Sequence, residues 1–287
     1  MAARKLRNAI GMIVNTYSST YNDLLLDSLS KRFHDEGYQV YVLSTNGNVE
    51  WEREAYTSLS KLCDCIFAVS SARHYSEIED VVPKQIPVIF MINKPEDSPH
   101  TAILSSDYSA AYQGIISLAT HYNRRVACVC ESMDLDTTKE CIRAYVDAVT
   151  VATTQTPEDY IYEVKDLSQF VPRKLIHDIR QQKGNAVFVT SPALSAILVD
   201  YLAFHNSNPK HTPIAMLGYG YFDSGLTSAM HIDLIDHPVE QAVDLAFQHA
   251  TYAIHHSKSE NKRVFLLKGI LHTHTLNGLK MEDLLQD

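Results

Sequence analysis

Short apolar runs alternate with segments of helical period along almost the whole chain. Ala9-Ile-Gly-Met-Ile-Val14 is an unbroken apolar run of strand length, followed by a polar loop from Asn15 to Ser19. From Thr20 the positions Leu25, Leu26, Leu29 and Phe33 fall on one helical face, and Gly37 is placed to end that helix. Tyr38 to Leu43 predicts a second strand and Thr45-Asn-Gly-Asn48 a turn. The pattern then predicts helices at 51–62, 75–82, 109–121, 138–151, 167–182 and 194–206. Between them it predicts strands at 65–69, 87–92, 103–104, 125–130, 160–164, 186–190 and 213–217. Such alternation is the mark of βαβ units and parallel sheets. It predicts two doubly wound α/β halves in tandem, with ligands taken by loops at the carboxyl ends of the strands.

Composition adds limits to this picture. The 287 residues suffice for two lobes with separate cores, and 45% hydrophobic with 21% charged residues is ordinary for a globular chain. The apolar run Ile10 to Val14 is too short for a signal-peptide core, and nothing approaches the roughly 18 apolar residues of a membrane helix. A cytoplasmic protein is expected. The net charge of −9 lacks the basic footprint of a nucleic-acid binder, so the chain is not expected to hold DNA strongly by itself.

Candidate chemistry is sparse. Cys63-Asp-Cys65 and Cys128-Val-Cys130 lie in apolar runs without zinc-site spacing and read as reduced core thiols. His272-Thr-His274 and the pair His255-His256 have no third ligand nearby, so neither metal nor cofactor is expected. No G-x-G-x-x-G, P-loop, G-x-S-x-G or H-E-x-x-H occurs, which counts against an enzyme.

Several segments in order carry a likeness to a known family. They are Ile10-Gly-Met-Ile-Val14, Glu36-Gly-Tyr-Gln-Val40, Asp64-Cys-Ile-Phe-Ala-Val-Ser70, Ile86-Pro-Val-Ile-Phe-Met-Ile-Asn93 and Asp107-Tyr108. Ala186-Val-Phe-Val-Thr-Ser191, Met216-Leu-Gly-Tyr219 and Asp236-His-Pro-Val-Glu240 complete the series. Together they resemble the LacI/GalR transcription regulators and the related periplasmic sugar-binding proteins, from residue 9 onward. The resemblance implies a type I periplasmic-binding-protein-like fold, with two parallel-sheet lobes, a three-crossover hinge and a cleft between. It implies lobes of 9–122 plus 223–257 and 123–222 plus 258–287, the terminal strand Arg263 to Leu267 falling in the second. A homodimer is implied as well, with helices near 20–33 and 238–255 flanking its contact surface.

The likeness also has gaps. The family's DNA-binding helix-turn-helix has no counterpart in this sequence, so operator binding is expected to reside in a head domain outside it. Ala3-Arg-Lys-Leu6 resembles the hinge helix, so residues 1–8 read either as a hinge-helix remnant, with Leu6 as its DNA contact, or as a short basic N-terminus. The Asn-Asp pair of sugar-binding members is replaced by Ser191-Pro192, an acidic position by Gly220, and an arginine by Cys141. Those losses remove partners that orient sugar hydroxyls.

The resemblance puts effector contacts on strand-end loops. Thr16, Ser19 and Tyr21 serve either as ligand contacts or as the cap of the first helix. Ser70, Ser71 and Arg73 follow one strand, Arg73 being either a carboxylate or phosphate clamp or a solvated loop residue. Asn93, with Lys94, follows the next strand. Asp107 reads as a cleft-edge acid, a helix cap, or both, and Ser191 and Tyr219 complete the set. The function implied is the ligand-sensing and dimerisation core of a LacI-type regulator, responding to a sugar, sugar phosphate or nucleoside-like effector. A solute-binding protein of the same fold is the alternative.

Overall fold

The computed structural model describes residues 6–15, 20–121, 125–131, 133, 136–208, 211–220, 232–256 and 263–273. The chain divides into two compact units, Met1–Ser105 with Pro238–Leu267, and Ser106–His237 with Lys268–Asp287. It therefore passes from one unit to the other three times.

The first unit holds a six-stranded sheet in the order β11-β5-β4-β3-β1-β2. Its strands are β1 (Ala9–Val14), β2 (Gln39–Ser44), β3 (Cys65–Ala68), β4 (Val88–Ile92), β5 (Thr101–Ser106) and β11 (Val264–Lys268). The register from β2 through β5 is parallel, with Ile10 opposite Val40 and Cys65, and Phe90 opposite Ala68 and Ala102. Helix α1 (Thr20–Asp35) packs with α7 (Val239–His255): the Phe33 and Phe247 rings lie 5.1 Å apart, and Arg32 stacks over Phe247. Helix α2 (Val49–Leu62) covers the other face, burying Ala55, Tyr56 and Leu59 with β1, β3 and β4. Its start is fixed by Asn48, whose side chain accepts from the Glu50 and Trp51 amides.

The second unit repeats the plan in the order β12-β10-β9-β8-β6-β7. Its strands are β6 (Val126–Cys130), β7 (Ile161–Glu163), β8 (Ala186–Val189), β9 (Ala215–Tyr219), β10 (Ile232–Asp236) and the antiparallel edge strand β12 (Ile270–His272). One face is covered by α3 (Tyr108–His121) and α4 (Asp136–Ala152), the other by α5 (Pro172–Gln181) and α6 (Pro192–Asn206).

The two parallel α/β units agree with the expected fold class, and most elements fall within a residue or two of their predicted places. Four elements differ from that reading. The predicted helix 167–182 is interrupted, because Pro172 lacks an amide proton and drives Val171 into extended backbone; a 3-10 turn at Leu167–Gln169 precedes α5. The predicted helix 75–82 shrinks to a 3-10 turn, Tyr75–Glu77. The sequence reading placed 109–121 in the first lobe, whereas α3 buries Ala111, Ile115, Leu118 and Ala119 in the core around β6 and α4 of the second unit. It placed Arg263 to Leu267 in the second lobe, whereas β11 lies beside β5 on the first sheet, and the Ala102 amide donates to the Arg263 carbonyl.

Candidate functional site

Both units concentrate polar groups at the carboxyl ends of their strands, where parallel-sheet geometry leaves loops rather than packed helices. In the first unit the loop after β3 is organised around Glu52, a fully buried residue of α2. One carboxylate oxygen accepts from the Ser70 hydroxyl at 2.7 Å, and the other accepts from the amides of Ser71 at 2.6 Å and Ala72 at 3.2 Å. Burial pushes the Glu52 carboxyl up, and these hydrogen bonds pull partly against that. Thr45, after β2, bonds the Ser71 hydroxyl at 2.9 Å, and Asn93, after β4, donates its amide to the Ser70 carbonyl at 2.8 Å.

The backbone entering Asn93 is strained. Ile92 has φ +68°, a left-handed value disfavoured for a β-branched side chain, and the Asn93 amide donates to the Met91 carbonyl at 2.7 Å in a γ-turn. Asn93 Oδ1 and Asn15 Oδ1, at the ends of β4 and β1, are buried without a hydrogen-bond partner among the described residues. Buried polar atoms left in this state are costly and point to a ligand or solvent partner.

In the second unit Asp107 and His237 meet at 2.8 Å beside the carboxyl end of β10, and Asp236 meets His272 at 3.0 Å. Burial pushes the Asp236 carboxyl up, against the pull of His272 and His237. Asp107 Oδ1, Asp236 Oδ1 and Thr190 Oγ1 are again buried and unpartnered among the described residues. Gly269 sits so close to Asp107 that a Cβ there would lie 2.7 Å from Oδ1, so the site demands glycine. Ser191 caps α6, accepting from the Leu194 amide at 3.2 Å and donating to Glu131 at the end of β6.

Several sequence-derived site residues acquire different roles in this geometry. The Ser70 and Ser71 hydroxyls are engaged by Glu52 and Thr45, and Ser70 is buried. Tyr219 is buried in the core; its hydroxyl bonds Cys141 Sγ at 3.2 Å, its ring stacks 5.7 Å from His237, and it is therefore a packing residue. Cys141, at the position of the family's arginine, is buried with it, and burial pushes its thiol up to about 12. Tyr21 is buried on α1. Arg73 is exposed, and its guanidinium makes no hydrogen bond or ion pair with a described residue. Asn93, Asp107 and Ser191 keep partly buried positions at strand ends. Thr16 and Ser19 lie outside the described residues. Leu6 to Asn8 are not helical, and the rest of the segment read as a hinge helix lies outside the described residues. Arg7 instead fastens this segment, its amide donating to Asp64 and its guanidinium to the Cys63 carbonyl, both at 2.8 Å.

Glu52, Thr45, Thr190, Glu131 and His237 were not singled out from the sequence. For Glu52 a signal exists: positions 52, 55, 56 and 59 form the buried stripe of α2, and one is a carboxylate. Among the described residues no group of three or more His, Cys, Asp or Glu side chains is arranged to hold a metal, His272 pairs with Asp236, and His274 lies outside them. All five cysteines are buried and outside any disulfide. No helix among the described residues is long and apolar enough to cross a membrane.

Comparison with known proteins places this geometry. No protein-family profile matches the sequence. The PurR HTH-type transcriptional repressor of Aliivibrio salmonicida is 22% identical over 157 residues, 54% of this chain, and the match spans about half (47%) of that protein's length. The Cra transcriptional dual regulator of Pseudomonas putida, solved with fructose 1-phosphate, superposes with a TM-score of 0.77 at 18% identity, over 93% of this chain and 99% of its own. CcpA of Lactococcus lactis gives 0.73 at 16% identity, over 94% and 98%. A periplasmic binding protein/LacI transcriptional regulator from Alkaliphilus metalliredigens, complexed with D-xylulofuranose, gives 0.68 at 17%, over 92% and 97%. In the order of its strands and the extent of its superposition, the chain has the type I periplasmic-binding-protein-like fold of the LacI-family regulators and resembles them in sequence.

Proposed function

We propose that this chain is the ligand-sensing and dimerisation core of a LacI-type transcription regulator. It takes a sugar, sugar phosphate or nucleoside-like effector on strand carboxyl-end loops. The observation that carries this reading is the set of buried, unpartnered polar atoms at strand carboxyl ends: Asn15 and Asn93 in one unit, Asp107, Thr190 and Asp236 in the other. A polyhydroxylated ligand supplies the donors and acceptors such atoms need. Cra and the Alkaliphilus protein, solved with fructose 1-phosphate and D-xylulofuranose, support the ligand class. Arg73 and Asn93 are the assigned contacts from the first unit, Asp107, Thr190 and Ser191 those from the second, and Thr16 and Ser19 remain assigned by resemblance.

Operator DNA is assigned to a head domain outside this sequence, since a net charge of −9 gives the core no electrostatic grip on phosphates. The core is assigned to the cytoplasm, as a homodimer through the surface near α1 and α7. Effector binding acts on operator affinity as a coupling free energy between two sites.

Two measurements test the reading. Calorimetric titration with sugars, sugar phosphates, nucleosides and purines is expected to give saturable binding by at least one class, and binding by none contradicts it. Gel filtration is expected to return a dimer. A monomer that binds free sugars supports the solute-binding alternative instead.

A further inference from the structure

A carboxylate on the buried face of a helix is costly unless its charge is matched by donors. Glu52 shares that face of α2 with Ala55, Tyr56 and Leu59, where an apolar side chain would serve packing better. Its two oxygens instead take three donors from one short loop: the Ser70 hydroxyl and the Ser71 and Ala72 amides. Amides at the carboxyl end of a strand have no ladder partner, so the carboxylate replaces the missing sheet bonds. The same loop is tied by Thr45 to the end of β2 and by Asn93 to the end of β4. Arg73 follows directly, with an exposed guanidinium and its carbonyl accepting from the Glu96 amide at 2.8 Å. The loop is thus held from three neighbouring elements, and the charged group that follows it is exposed.

We propose that Glu52 is a positioning residue that fixes the loop Ser70–Ala72 and thereby aims the Arg73 guanidinium at an anionic group, a phosphate or carboxylate, of the effector. The fixing of the loop stands on geometry alone; the anionic partner rests on the function proposed above. Removing the carboxylate leaves the Ser71 amide and the Ser70 hydroxyl without this acceptor and the Ala72 amide with only Ser70 Oγ, at 3.1 Å, so the loop opens locally while the sheet beneath it persists. Glutamine restores the hold: its carbonyl oxygen accepts from the two amides, and its amide group donates to Ser70 Oγ.

Hydrogen–deuterium exchange on the full chain reads this out. Glu52→Ala is expected to raise exchange in peptides covering 70–74 about tenfold or more, leave the β1 peptide 9–14 unchanged, and be rescued by Glu52→Gln. Equal acceleration in both peptides makes Glu52 a merely structural residue and overturns the proposal, as does unchanged exchange at 70–74. If the alanine variant does not fold, Glu52→Asp takes its place: its shorter side chain is expected to accelerate only 70–74, and unchanged exchange there overturns the proposal. Titration with D-fructose 1-phosphate and D-fructose forms the second arm. Arg73→Ala and Glu52→Ala are expected to weaken the phosphate ester about tenfold and the free sugar little. Equal loss for both sugars overturns the anionic assignment. A wild-type chain that binds neither contradicts the effector reading and its anionic partner, while the exchange result decides the loop.

Discussion

Asp107 Oδ2 and His237 Nε2 lie 2.8 Å apart, joining the second residue after the first passage between the units to the residue that precedes the second passage. Gly269, next to the third passage, donates its amide to the Ser106 carbonyl at 3.2 Å. All three passages are therefore tied together within the second unit. Asp107→Ala removes the acceptor and leaves His237 without it in a largely buried place. The expected cost is about 1–3 kcal/mol in urea denaturation, with Asp107→Asn retaining most of the stability through its carbonyl oxygen. A wild-type midpoint for the alanine variant would show the pair to be idle.

The packing of α3 on the second sheet is open to a steric test. A Cβ at Gly114 would lie 2.6 Å from a methyl group of Leu217 on β9, so the helix approaches the sheet through its glycine. Gly114→Val is expected to cost about 1–3 kcal/mol by overpacking, read as a lower melting temperature. An undisturbed melting temperature would place α3 elsewhere.

His205 supplies a pH dependence. It is buried on α6 between the rings of Tyr201 and His211, and burial, then Arg180 and His211, hold its pKa below the ordinary histidine value. The unfolded chain therefore binds the proton more readily than the folded one. The contribution of His205 to stability is complete above the ordinary pKa of about 6.5 and is lost as pH falls below it towards the folded value. His205→Phe is expected to flatten that acid limb of the stability profile. An identical slope in wild type and variant would assign it to other groups.

Glu52 gives the opposite slope. Its folded pKa is raised, so the folded chain binds the proton first, and stability attributable to this group increases as pH falls through the raised value towards the ordinary carboxyl range. The difference in stability between wild type and Glu52→Gln is expected to shift in favour of wild type on acidification over that window. A difference independent of pH would mean that the carboxyl titrates as it does in the unfolded chain.

The architecture was legible because buried parallel strands such as Val126–Cys130 and Ala186–Val189 are continuous apolar runs, and amphipathic helices such as α2 carry one apolar stripe. Periodicity reports that a helix covers a sheet and says nothing of which sheet; the lobe bounds rest on the family resemblance, and α3 and β11 fall in the other unit from the one it implies. Pro172 marks the helix start at its N-terminal position, a signal that the apolar period of 167–182 does not carry. The site was less legible. Ser70 and Tyr219 stand at strand ends where a ligand contact is reasonable, but only coordinates show their hydroxyls turned to Glu52 and Cys141. The Asp107–His237 pair spans 130 residues of sequence and left no local pattern to find.

The central claim is that the strand carboxyl-end loops bind a small-molecule effector, and melting temperature measured with and without ligand tests it most directly. A class of small molecule that binds the folded chain is expected to add about 2.7 kcal/mol at a hundredfold excess over Kd, a shift of several degrees. That shift is expected to shrink in Arg73→Ala, at the end of β3, and in Thr190→Val, at the end of β8. A full shift surviving in both variants, or no shift from any sugar, sugar phosphate, nucleoside or purine, would contradict the account.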